Sequence, residues 1–130
     1  MQKRVIIILG LLMLSLVACN STPDIEFSTL PEGDATRGEI VYNDNINGAP
    51  SCVSCHLLSD MPLVGPGLAG YGEIASTRIE GLSAEEYTFN AIVRPATHLV
   101  DGYSNVMYSG YGTKLSEQEL ADLISFLLIQ

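Results

Sequence analysis

Basic residues are scarce in this chain. Six Lys and Arg stand against fifteen Asp and Glu in 130 residues, a net charge of −9. That balance excludes a nucleic-acid binder, because phosphate contacts need clustered Lys and Arg. Cysteine is scarcer still, with three. Three are too few for a disulfide scaffold and too few for a four-thiolate iron–sulfur cluster. Charged residues of either sign make up only 16% against 47% hydrophobic, which is too apolar for a disordered chain. There is no internal repeat. The stretches Ala49-Pro50, Met61 to Gly72 and Gly102 to Thr113 carry no strand alternation and are rich in Gly and Pro. What remains is one domain of ordinary size.

The first residues have a character of their own. Met1-Gln2-Lys3-Arg4 is a short basic start, followed by an apolar run from Val5 to Val17. The run matches the apolar region of an export signal and falls short of the ~20 residues a spanning helix needs. It closes on Leu16-Val17-Ala18-Cys19, which resembles a bacterial lipobox. The resemblance implies cleavage before Cys19 and a lipid on its sulfur. A plain signal peptide or a short uncleaved anchor is the alternative. The expected division is therefore a signal peptide at 1–18, a lipidated Cys19 with a flexible tether through 32, and a folded domain at 33–130. The mature chain is expected outside the cytoplasm, held to a membrane by acyl chains. Loss of Lys3 and Arg4 leaves it more acidic still. The tether NSTPDIEFSTLPE is rich in Ser, Thr, Pro and acids, and extended it reaches at most roughly 45 Å.

Within the domain, three helices are predicted. Asp34 is a suitable N-cap for a helix carrying Ile40 and Val41 to Tyr42 or Asn43. Ser83 with Glu86 forms a capping box ahead of Tyr87, Phe89, Ala91 and Ile92, and Pro95 ends that helix. Ser116 with Glu119 forms a second box, and behind it Leu120, Leu123, Ile124 and Leu127 fall at helical spacing. The expected fold is all-α, with long loops between few helices. Long loops in so small a domain imply wrapping around something.

Cys52-Val53-Ser54-Cys55-His56 is C-x-x-C-H, the attachment signature of a c-type haem. Each thiol adds across one vinyl group to make a thioether. Two intervening residues let a single turn present both sulfurs, and His56 then offers its imidazole to the iron. The nearer ring N–H needs an acceptor to fix the ring. Two rival chemistries use similar residues. A C-x-x-C redox pair wants a preceding strand and a βαβ context, and neither is visible. A structural zinc wants four ligands, and the adjacency of Cys55 and His56 suits one tetrahedron poorly.

One His leaves one axial position. The candidates are Met61, Met107 and His98. Met61 follows His56 too closely to reach around the ring edge. Met107 lies in a Gly- and Tyr-rich loop, far enough along for the chain to pass the ring and return on its other face. Core filling is the ordinary role of a lone Met, and a loop or surface position that of His98.

Taken together, residues 33–130 resemble a bacterial class I cytochrome c. The order of parts carries the resemblance: GDATRGEIVYN, then CVSCH, VGPGLAGYG, the loop methionine and LSEQELADLISFLL. It implies one covalent haem c on Cys52 and Cys55, with His56 and Met107 as iron ligands. Pro66 matches the proline whose carbonyl accepts from the ligand imidazole, and Leu68 an apolar residue against the haem. Gly38 and Tyr42 match positions that pack against an aromatic of the last helix, here Phe126. One departure stands out: Met107 is followed by Tyr108, where the family often has proline.

The resemblance implies an electron carrier rather than an enzyme, cycling Fe(II)/Fe(III) with little ligand rearrangement. Val64, Leu68, Leu99, Ile124 and Leu127 are the expected apolar shell. Arg78 and the tyrosines are candidates for a propionate, with ordinary packing or a solvated charge as the alternative. Implied partners are redox proteins: a quinol-oxidising complex on one side, a terminal oxidase or photosynthetic reaction centre on the other. A haem subunit fixed in a larger respiratory complex is one alternative, and a peroxidase or gas-binding protein with a weak sixth ligand is another. The acidic balance fits steering toward a basic partner or plain solubility.

Overall fold

The computed structural model describes residues 25–130. The expected signal peptide and Cys19 lie outside the described residues. Five α-helices and no named strands occur among those described: α1 (Ala35–Asn43), α2 (Tyr71–Thr77), α3 (Ala84–Val93), α4 (Tyr111–Lys114) and α5 (Glu117–Leu127). The fold is all-α, as expected. None of these helices is long and apolar enough to cross a membrane.

The helix starts follow their caps. The Asp34 carboxylate accepts from the Thr36 and Arg37 amides, which opens α1. Ser116 and Glu119 form the reciprocal box at α5. At α3 the box is half made, since Ser83 accepts from the Glu86 amide at 3.1 Å and no return bond forms. The two remaining helices lie at the ends of stretches expected to be loops. Both follow a glycine, Gly70 and Gly110, and neither start has a side-chain cap.

The core sits where α1 crosses α5. Tyr42, Leu120 and Leu123 are wholly buried there, with Val41, Ile124 and Phe126 nearly so. Gly38 permits the crossing. A Cβ at that position would overlap the Asp122 carbonyl and the Phe126 Cβ. The Tyr42 and Phe126 rings meet with centroids 5.4 Å apart.

The same crossing is tied by charge. Arg37 donates to both oxygens of the buried Asp122 carboxylate, at 2.7 and 2.8 Å. The Asp34 amide and the Gln118 side chain also donate to Asp122. Burial works to raise the Asp122 pKa, but the hydrogen bonds from Arg37, Asp34 and Gln118, with the Arg37 charge, outweigh it and hold it below the ordinary value.

The tether expectation needs correction over 25–32. A 3₁₀ turn at Phe27–Thr29 lies on the domain, with Ile25, Phe27 and Leu30 packed against the core. The reason is apolar burial: Phe27 meets Phe89 of α3 at 5.7 Å between centroids.

Candidate functional site

A cavity of about 350 Å³ opens between the C-x-x-C-H turn, α2, the end of α3, the 95–108 loop and α5. Its walls are built segment by segment. Cys52–Ser54 winds as a 3₁₀ turn, and the Cys55 and His56 amides both donate to the Cys52 carbonyl, at 3.1 and 2.9 Å. That winding puts Cys52, Cys55 and His56 on one wall. Two tyrosines hold the segment at its ends. Tyr42 of α1 donates its hydroxyl to the His56 carbonyl at 2.6 Å. Tyr111 of α4 donates to the Pro50 carbonyl at 2.9 Å. Burial pushes the Tyr42 phenol up to about 12, and it raises Tyr111 as well. Both therefore remain protonated donors in ordinary conditions.

His56 is oriented by the segment after it. Its Nδ1 lies 2.9 Å from the Pro66 carbonyl oxygen. A carbonyl only accepts, so Nδ1 is the donor, and in the neutral ring it is Nε2 that is left to bind a metal. Gly65 lies flat against the imidazole, where a Cβ would overlap the ring. The Gly65 amide donates to the Cys55 carbonyl at 2.9 Å, which ties the two segments together.

The other expected site residues divide cleanly. Leu68, Met107 and His98 line the cavity, and Met61 does not. Met61 is 60% exposed. Met107 packs against the core, whereas the His98 ring stands edge-on to Tyr87 at 5.7 Å. Tyr108, in the place of the family's proline, stands edge-on to Tyr111 at 5.2 Å. Val64, Leu99 and Leu127 line the wall as expected. Ile124 is a correction: it faces the helix core, and Leu123 takes the wall position on α5.

The rival chemistries lose ground on geometry. Burial pushes the Cys52 thiol up to about 11. A dithiol redox site needs the reverse, a thiol whose pKa is lowered. Among the described residues, no three His, Cys, Asp or Glu side chains converge where they could hold a metal ion, so zinc lacks a ligand set.

Haem fits this site. The walls are mostly aliphatic or aromatic, the two thiols and His56 share one face, and one charged group waits for an acid. Arg78 lines the cavity, and its Nε is buried without a hydrogen-bond partner. A propionate of the group would satisfy it.

These features define a c-type haem protein of the class I kind. The chain belongs to the cytochrome c family, whose model, Cytochrome c, matches residues 35–129. It is thus a haem-binding electron-transfer protein with covalently attached haem c. Among curated proteins, none matches the chain.

Sequence reasoning missed the two tyrosine hydroxyls. The signal was available in principle, since a buried Tyr needs a partner for its O–H.

Proposed function

We propose that this protein is a membrane-anchored monohaem electron carrier. Cys52 and Cys55 hold the haem through thioethers, His56 and Met107 ligate its iron, and Cys19 bears the lipid outside the cytoplasm. One observation supports it above others: a single cavity is lined by both thiols, by Met107, and by a His56 whose Nδ1 is fixed on Pro66. When bound, the haem supplies a one-electron Fe(II)/Fe(III) couple.

The chain tunes that couple. The Pro66 carbonyl fixes the tautomer and plane of His56 and makes it a better donor. The neutral thioether of Met107 favours the reduced state relative to a second imidazole. Leu68, Leu123 and Leu127 keep water and dielectric low, which disfavours the extra charge of the oxidised state. These roles are a carrier's, not an enzyme's. The partners in this reading are a quinol-oxidising donor and an oxidase or reaction-centre acceptor.

The test is a redox-monitored absorption spectrum of exported protein, with mass spectrometry of the mature chain. Unmodified Cys52 and Cys55, in a host able to attach haem, would end the proposal. Met107→Ala should abolish the sulfur-to-iron charge-transfer band and lower the potential. An unchanged band would move the ligand to another residue, His98 first. The exposed Tyr108 after Met107 favours a second reading, a weak sixth ligand. Fast carbon monoxide binding by the ferrous protein at neutral pH would select it.

A further inference from the structure

The segment before α1 is fastened along its whole described length. Glu26 pairs with Arg94 at 4.0 Å, at the end of α3, and Arg94 also lies over the Phe89 ring. Phe27 packs on that same ring. The Thr29 hydroxyl donates to Glu117, the first residue of α5, at 3.0 Å. Gln118 donates to the Glu32 carbonyl at 2.9 Å. Gly33 then lies so close to α5 that a Cβ would overlap the Ala121 carbonyl. Five successive fastenings, to two helices, describe a strap rather than a leash.

The strap lies against α3, one of the helices that wall the haem cavity. Phe89 receives it, while Ala91, Ile92 and Pro95 line the cavity.

We infer that residues 25–33 are a docking strap that sets where a lipid-held domain can stand. This rests on the reading of Cys19 as the lipidated residue. Only Asn20 to Asp24 then remain between the anchor and the strap. Their fully extended reach is about 20 Å, where an undocked tether would reach more than twice as far. The end of α3, at Arg94, is held nearest the bilayer. The domain cannot patrol. Its partner is a redox protein embedded in the same membrane, whose electron port opens close to the lipid surface.

The experiment uses the lipidated holoprotein on vesicles of phosphatidylethanolamine and phosphatidylglycerol carrying a headgroup fluorophore, which the haem quenches with distance. The native chain should quench strongly. Inserting ten Gly and Ser residues between Asp24 and Ile25 keeps the strap docked and should reduce quenching severalfold. Phe27→Ser with Thr29→Ala, with the haem spectrum unchanged, should reduce it in the same direction. Equal quenching by the native and lengthened chains would overturn the inference.

A native chain that does not bind vesicles would instead remove the lipid reading. The strap is then judged on the soluble Cys19→Ala holoprotein by hydrogen exchange. Slow exchange at the Leu30 amide upholds the docked strap, and exchange there at the unfolded-chain rate refutes it.

Discussion

His56 is held at three of its own atoms by neighbours from three parts of the chain. Its amide is bonded to Cys52, its carbonyl to Tyr42 and its Nδ1 to Pro66. An imidazole so placed cannot swing away without breaking its part-buried hydrogen bond to Pro66. The Tyr42 bond is the one that couples the haem motif to α1. Tyr42→Phe keeps the ring against Phe126 and removes only the donor, leaving the His56 carbonyl unsatisfied. The expected cost is about 1–2 kcal/mol in denaturant unfolding of the holoprotein, with the Phe126 packing kept. A loss below a few tenths of a kcal/mol would mean that water takes the place of the hydroxyl. Cys52, Cys55 and His56 were legible because attachment chemistry fixes their order and spacing, and Pro66 came only through the resemblance. Arg78 is a propionate candidate from the sequence, and its buried Nε without a partner fits that role. Tyr42's hydroxyl was not legible, because a hydrogen bond between separate segments leaves no mark in local pattern.

At the scale of the helices, α1 and α5 are joined by packing at one end of their crossing and by charge at the other. Tyr42 with Phe126 makes the first, and Arg37 with Asp122 the second. Asp122 has a depressed folded pKa, so the sign of its pH dependence is fixed. Its contribution is whole above the unfolded carboxylate value, about 3.9, and is lost as pH falls through the lower folded value. Asp122→Asn should therefore be less stable than the native chain at pH 7, by about 1–3 kcal/mol. The gap should narrow as the native chain is titrated into acid below that range. Unfolding curves at pH 7 and in strong acid check it, and a gap independent of pH would contradict it.

The helices with capping side chains, α1, α3 and α5, were legible from Asp34, Ser83 and Ser116. The two that were not open on glycine, and Gly70 sits at φ 67°. No side chain announces a helix there, and tertiary contact with α3 supplies what the caps do not. The strap was missed for a related reason. Ile25, Phe27 and Leu30 follow neither a helical nor a strand period, so only the packed surface shows them to be one apolar face.

For the whole molecule, the question is where the charge lies. Among the described residues the basic ones are Arg37, Arg78, Arg94 and Lys114. Arg37 and Arg94 are spent on Asp122 and Glu26, and the buried part of Arg78 belongs to the haem cavity. Among the described residues Lys114 is left as the cation outside an ion pair or the cavity, while exposed acids include Glu39, Asp60, Glu73, Glu85 and Asp101. The field around the domain is therefore negative well beyond the reach of any one side chain. Such a field attracts cations and is screened over about 8–10 Å at physiological salt. It follows that small cationic iron or ruthenium complexes should exchange electrons with this protein faster at low salt than at high. Anionic complexes should show the opposite slope, since salt relieves their repulsion. Stopped-flow rates with one reagent of each sign measure it directly. Matching slopes for both signs would mean that the acids lie too far from the haem edge to steer anything, leaving them a role in solubility alone.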